Sequence, residues 1–252
     1  MENYTFTTLL QCLTVDSADD GHHFVRTARQ DAITHLLSGS LYHVVAQGDL
    51  FTLYGKQPLA HQDIVLVSSH IDTVYSACFC QTDAHELYHG TFDNSLTNAA
   101  VIYNMLHHPL PDNVYIAFTG DEEKDSRGCR QLIEYIGQMC EQVHCSVRFA
   151  LVTDVSNEGW ASGASFSIEN DLSIDLFTAA RIVHTLQPYL YSYVHEAEPD
   201  ESWDYDEYHI PTLTYCVPVH GDMHSDSGVC ARKHTITEYC QVMRLLLACV
   251  SA

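Results

Sequence analysis

The sequence predicts an α/β fold, a three-layer α/β/α sandwich around a mixed, mostly parallel sheet. Three observations predict it. Short continuous apolar runs recur along the chain: DIVLVSS at 63–69, NVYIAFT at 113–119, VRFALVT at 147–153 and TLTYCVPV at 212–219. Such runs suit strands buried on both faces. Segments with apolar residues at helical spacing lie between them, and strands that alternate with helices imply parallel crossovers. The 252 residues contain no repeat and no Pro/Gly/Ser-rich linker, which fits a single domain, 1–252, near the upper size for one core.

The elements follow in order. HHFVRTARQDAITHLL (22–37) is helical, with Phe24, Val25, Ala28, Ile33, Leu36 and Leu37 on one side. LYHVVAQ (41–47) and LFTLYG (50–55) form a hairpin across a Gly48-Asp49 turn. The run at 63–69 is the first buried strand. NSLTNAAVIYNMLHH (94–108) is a helix, NVYIAFT the second buried strand, and SRGCRQLIEYIGQMC (126–140) a helix. VRFALVT is the third buried strand. SIDLFTAARIVHTLQ (173–187) is a helix and YLYSYV (189–194) a strand. TLTYCVPV and the amphipathic helix TITEYCQVMRLLLACV (235–250) close the pattern.

Composition narrows the function. The chain carries 33 Asp+Glu against 11 Lys+Arg. Nucleic acid and anionic membrane surfaces call for basic patches, so neither is an expected partner. No segment is long and apolar enough to span a bilayer. The N-terminal MENYTFTTLLQCLTVDSADDG lacks the basic and apolar regions of a signal peptide, so a cytoplasmic location is expected. Ten cysteines are scattered through apolar patterns without a CxxC pair, which suits free thiols in a reducing compartment. Only Cys78 and Cys80 sit close together, a weak metal signal. GWASGAS lacks the GxSxG spacing of a serine hydrolase.

In mostly parallel sheets, ligands bind at the carboxyl ends of the strands. Each buried run here ends in His, Asp or Glu. His70 and Asp72 follow the first, and Asp121, Glu122 and Glu123 follow the second. Asp154 follows the third, and His220, Asp222 and His224 follow the last. Asp93 stands at the start of a helix between the first two strands. Helix capping by Asp accounts for one such end; it does not account for the histidines. A pair of borderline cations accounts for them all. Zinc takes imidazole nitrogen and carboxylate oxygen, and a di-metal site also needs a bridging carboxylate and a carboxylate off the metals to move protons.

The residues VLVSSHIDTVY, GTFDNSLTNAA, AFTGDEEKDSRG, ALVTD and MHSDSG, in that order, resemble the di-zinc exopeptidases and deacylases. The resemblance spans Leu41 to Val250. It implies a phosphorylase/hydrolase-like zinc-peptidase fold and two Zn2+ ions, with Mn2+ or Co2+ fitting similar sites. It implies that His70 and Asp154 end one metal's ligand set, that Glu123 and His224 end the other's, and that Asp93 bridges them. Asp72 would orient the His70 ring, and Glu122 would be the general base. His220 competes with His224, which MHSDSG favours. Asp121 is left as a turn cap. Two departures stand out. There are too few residues between Asp154 and His224 for the inserted lid or dimerisation domain of the carboxypeptidase-like branch, and Leu96 and Thr97 replace the small residue of the family's DNxSG-type turn, altering the cleft wall.

The function so implied is metal-assisted hydrolysis of an amide, foremost by an aminopeptidase acting on a small peptide. The alternatives are an N-acyl amino acid deacylase, a one-zinc glutaminyl-cyclase-like enzyme and a non-catalytic binding module of the same fold. The acidic segment EAEPDESWDYDEYHIPT is either a reader of the substrate's α-amino group or a solvated loop. Arg181 and Lys233 are candidate partners for a substrate carboxylate, without support from their spacing. An oligomer is compatible with the open cleft expected.

Overall fold

The apolar runs and helical segments settle into eight helices and eleven strands among the residues described by the computed structural model, 4–15, 27–60, 62–83 and 86–252. Helices α1 (Phe6–Leu13) and α2 (Thr27–Leu37) precede the hairpin of β1 (His43–Gln47) and β2 (Phe51–Gly55). There follow β3 (Ile64–His70), β4 (Cys80–Thr82), β5 (Leu87–Gly90), α3 (Ser95–His107), β6 (Val114–Thr119), α4 (Glu122–Asp125) and α5 (Arg127–Val143). Next come β7 (Val147–Ser156), β8 (Phe166–Leu172), α6 (Leu176–Leu186), β9 (Tyr191–Val194) and α7 (Glu201–Glu207). The chain ends with β10 (Thr212–Gly221), β11 (Val229–Arg232) and α8 (Lys233–Ser251).

The strand order is β1-β2-β6-β3-β7-β10-β11-β5-β4, with β8 and β9 also joined through β10. The four apolar runs become β3, β6, β7 and β10, which lie side by side and parallel at the centre. Antiparallel pairs flank them on both sides. Alternation along β3 shows the two faces. Val65 and Val67 pack with α1, α2, α3, α6 and α8, whereas Ile64 and Leu66 pack with α5 and with Tyr205 of α7. Leu132, Ile133 and Ile136 form the buried stripe of α5, and each such side chain stabilises by up to about 1.5–3 kcal/mol. This is the expected three-layer α/β/α arrangement.

Several elements differ from the sequence reading. Phe24 and Val25, placed on the first predicted helix, lie outside the described residues. Strands β4, β5 and β11, a small antiparallel extension past the end of β10, were not expected, and neither were α1, β8, α4 and α7. The acidic segment is not a wholly solvated loop. Its middle is α7, in which Glu201 is 1% and Tyr205 0% exposed.

Candidate functional site

Because β3, β6, β7 and β10 run parallel, their carboxyl ends deliver side chains to one edge of the sheet. His70 is the last residue of β3, and its ring is buried. His70 Nε2 lies 3.1 Å from Asp93 Oδ1 and 3.5 Å from Asp154 Oδ1. On the other side of Asp93, His224 Nε2 lies 3.5 Å from Asp93 Oδ2 and 3.4 Å from Glu123 Oε2. Two clusters therefore form, His70–Asp93–Asp154 and Asp93–Glu123–His224, with Asp93 common to both. Within each, the potential ligand atoms all lie within 4.8 Å of one another.

Local structure holds these groups in place. Asp72, fully buried, sets Oδ1 3.5 Å from His70 Nδ1 and accepts the Glu123 backbone N–H on Oδ2 at 3.2 Å. Asn98 Nδ2 donates to Ser69 Oγ at 2.7 Å and to the His70 carbonyl at 2.9 Å. Asn94 Nδ2 donates to the Thr153 carbonyl at 2.7 Å, joining the Asp93 turn to β7. The Asp93–Asn94 peptide is cis. The His224 loop is tied to the chain after β3 by Ser76 Oγ, which donates to Asp226 Oδ2 at 2.7 Å, and by the Tyr75 hydroxyl, which donates to the Met223 carbonyl. Gly128 lets α5 start against the strand end. A Cβ there would stand 2.4 Å from the Gly120 carbonyl oxygen and 2.5 Å from that of Leu50.

The unpartnered atoms decide whether a cation fits. His70 Nδ1 and Nε2, Asp72 Oδ1, Asp93 Oδ1 and Glu123 Oε1 are all buried without a hydrogen bond. Each such atom costs about 1–3 kcal/mol when left unmatched. Nitrogen and carboxylate oxygen converge on shared points, the donor set that a borderline divalent cation takes. The residues fit a metal pair.

Electrostatics agrees. Burial and the neighbouring Asp93 push the Glu123 carboxyl up to about 10. Burial and Asp93 likewise push Asp154 up to about 6. Burial, followed by Asp154, Glu201 and Asp93, raises Glu122 well above the carboxylate range, against the pull of His70. Burial alone would lower His70, but Glu122 and the close carboxylates of Asp154, Asp72 and Asp93 carry it well above an ordinary imidazole. Asp93 goes the other way: burial opposes its charge, and His224 and His70 outweigh burial. Crowded carboxylates gather positive charge.

His220 is not in either cluster. It stacks on Trp160 with ring centroids 5.4 Å apart, and the Arg232 guanidinium also lies over the Trp160 ring, 3.7 Å from its centroid. Asp121 occupies the cap position of α4 at φ 63° but makes no side-chain cap bond; its carboxylate pairs with Arg127 instead. Leu96 and Thr97 are fully buried and do not line the cleft, so the departure at that turn does not alter its wall. Arg181 donates to the Cys249 carbonyl and Lys233 Nζ to the Asp83 carbonyl, and neither lines the cleft. Sequence reading missed Arg29. It is buried, donates from Nε to the Leu13 carbonyl at 3.0 Å, and reaches the Asp72 carbonyl at 3.5 Å. Burial lowers its proton affinity, while nearby Cys78, Asp72, Asp93 and Glu123 raise it. A lone Arg in a helical pattern carries no signal of this.

The clusters open into a cleft of about 1000 Å³. Beyond them its wall carries Glu158, Glu169, Glu196, Glu198 and Asp200, and Lys124 is the one Lys or Arg of the lining among the described residues. No described helix is long and apolar enough to cross a membrane.

Comparison with known proteins places the fold. No family model matches the chain, and no curated protein matches it either. Solved structures do. A TET aminopeptidase from Thaumarchaeota archaeon SCGC AB-539-E09 superposes with a TM-score of 0.72 at 10% identity, over 96% of this chain and 96% of that one. An endoglucanase from Thermotoga maritima gives 0.66 at 12% identity, over 96% and 98%. BSAP, a zinc aminopeptidase from Bacillus subtilis, gives 0.54 at 11% identity, over 78% and 48%. At such identities the likeness establishes the fold. It is the fold shared by those solved structures.

Proposed function

We propose that this chain is a metal-dependent hydrolase that cleaves an amide bond of a small peptide, acting as an aminopeptidase. The observation that carries the reading is the pair of His/carboxylate clusters sharing Asp93, with unpartnered buried ligand atoms, at the floor of an acidic cleft. His70, Asp93 and Asp154 would hold one zinc ion, and Asp93, Glu123 and His224 the other. Bound there, the ions would supply Lewis-acid activation of water and of the amide carbonyl. Glu122 lies next to a ligand yet belongs to neither cluster, so its carboxylate is free to accept the proton of the attacking water. It then delivers that proton to the nitrogen of the departing amine. Asp72 keeps the His70 ring oriented so that Nε2 faces Asp93 and Asp154.

The cleft wall favours a free amine over an acyl group. Five carboxylates suit an ammonium group. A deacylase acting on N-acyl amino acids needs a cation for the substrate carboxylate; Arg181 and Lys233 are engaged elsewhere, and among the described residues the cleft wall sets only Lys124 against those five carboxylates. The endoglucanase name of one similar structure belongs to that protein; two metal-type clusters around one Asp are not the pair of free carboxylates that glycoside hydrolysis uses.

The test is metal content measured beside a substrate comparison. The reading expects two ions per chain and hydrolysis of Leu-p-nitroanilide without hydrolysis of N-acetyl amino acids. Preference for the acetylated substrates moves the protein to the deacylase alternative, and a single bound ion to the cyclase-like one. Fewer than one ion with no turnover makes it a binding module.

A further inference from the structure

Behind the clusters, on the α5/α7 face of the sheet, sits a polar group that the hydrolase reading does not use. Glu201, the first residue of α7, is 1% exposed. Its Oε2 accepts a hydrogen bond from Ser68 Oγ at 2.7 Å, while Oε1 is buried without a partner. Two other buried hydroxyls, those of Thr119 and Tyr205, stand beside this group without a hydrogen bond of ordinary geometry. The surrounding layer is apolar, built from Leu66, Ala117, Cys129 and Leu132.

The positions of these residues are informative. Ser68 stands two residues before His70 on β3, and Thr119 is the last residue of β6, paired with His70 across the sheet. One residue further the chain turns toward Glu122 and Glu123. Glu201 therefore sits under the ends of the two strands that deliver His70, Glu122 and Glu123. Its neighbour Asp200, the N-cap of α7, lines the cleft. Apolar side chains at 68, 119 and 201 together would fill this layer with no buried polar groups to match, so packing alone gives no reason for a carboxyl and hydroxyls here.

We propose that Glu201 is a positioning residue, whose carboxyl, through Ser68 and Thr119, clamps the ends of β3 and β6 at the spacing the metal-ligand cluster requires. This rests on the hydrolase reading only in naming what the clamp serves. Burial pushes the Glu201 carboxyl up to about 7, against the pull of the Thr119 and Ser68 hydroxyls and of His70. A proton on Oε1 makes it a donor in a layer where the Thr119 hydroxyl is otherwise unmatched. The same carboxyl can thus accept from one strand end and donate toward the other.

The experiment is hydrogen exchange on the metal-free protein, paired with a zinc titration. Glu201→Ala and Ser68→Ala should each speed exchange about tenfold or more in peptides covering 63–72 and 114–125, with β7 and β10 unchanged. Glu201→Gln, which keeps the shape and a neutral donor, should restore wild-type exchange. In the titration Glu201→Ala should bind zinc about 10–100-fold more weakly, and Glu201→Gln like wild type. Unchanged exchange at the strand ends in both Ala variants overturns the clamp, and so does faster exchange spread evenly over the sheet. A Glu201→Gln variant as impaired as Glu201→Ala also overturns it. Ser68→Ala, which loses a single hydroxyl, decides between these outcomes if Glu201→Ala does not fold. Exchange is read without metal, so it tests the clamp even where wild-type protein takes up no zinc, a result that overturns the hydrolase reading alone.

Discussion

Asp93 Oδ1 stands 3.1 Å from His70 Nε2, and both atoms are buried without a hydrogen bond. The other Asp93 oxygen stands 3.5 Å from His224 Nε2. One carboxylate therefore faces two histidines carried by different strand ends, and each oxygen belongs to a different cluster. A carboxylate that only capped α3 would have no need of either histidine.

Asp93 should accordingly matter to both ions at once. Asp93→Ala should lower metal content from two ions per chain to fewer than one, whereas His224→Ala should leave one, held by His70, Asp93 and Asp154. Metal analysis after equilibration with zinc distinguishes these results. Two ions retained by Asp93→Ala would remove the shared ligand from the scheme.

Glu122 differs from its neighbour Glu123 in placement, although the two are adjacent. Glu123 joins the second cluster and Glu122 joins none. Glu122→Gln should keep both ions and lose roughly 10²–10⁴-fold in kcat, the usual contribution of a positioned base. Zinc content and turnover are measured on the same preparation. An active Glu122→Gln variant rules out the assignment.

The central sheet, and the residues that meet in the two clusters, were legible in the sequence because β3, β6, β7 and β10 are buried on both faces. That burial makes each a continuous apolar run, and the polar residues that end each run stand out against it. What was not legible lacked that contrast. Cys80–Thr82 and Val229–Arg232 are too short to show a period. FSIENDL hides β8, because Ser167, Glu169 and Asn170 are buried polar residues that hydrogen-bond to one another or to the segment before α7. ESWDYDE hides α7 for the same reason: its acids suggest solvent, while Glu201, Ser202 and Asp204 face inward. Glu201 and Arg29 answer to partners far off in the chain, which spacing cannot reveal.

Asp72 holds two candidate ligands with one carboxylate, one oxygen toward His70 Nδ1 and the other on the Glu123 backbone N–H. Asp72→Asn keeps the size but changes what those two groups meet. It should weaken metal binding by about 10–100-fold while leaving the fold intact, as judged by far-ultraviolet circular dichroism and a zinc titration. Wild-type affinity in Asp72→Asn would show that the ring and the turn are held by other contacts.

Metal-free protein should lose stability as pH rises, and metal should reverse the trend. Glu123 holds its proton in the folded state up to about 10, against 4.5 as its ordinary value. The folded chain then binds a proton that the unfolded chain has released. Stability from this group is complete below the ordinary value and drains away as pH climbs toward 10. Asp154 acts with the same sign between 3.8 and about 6. His70, raised well above 6.5, also favours the folded state until pH passes its folded value. Asp93 has the opposite sign, because its folded value is depressed; its contribution is present above 3.8 and is lost only in strong acid. Between about pH 5 and pH 9 the first three dominate, so the Tm of metal-free protein should fall steadily. Zinc competes with those protons for the same atoms, so its stabilisation should grow over the same range. Differential scanning calorimetry with and without zinc measures both curves. A metal-free Tm that is flat or rising from pH 5 to pH 9 would mean that these carboxylates do not share a buried site.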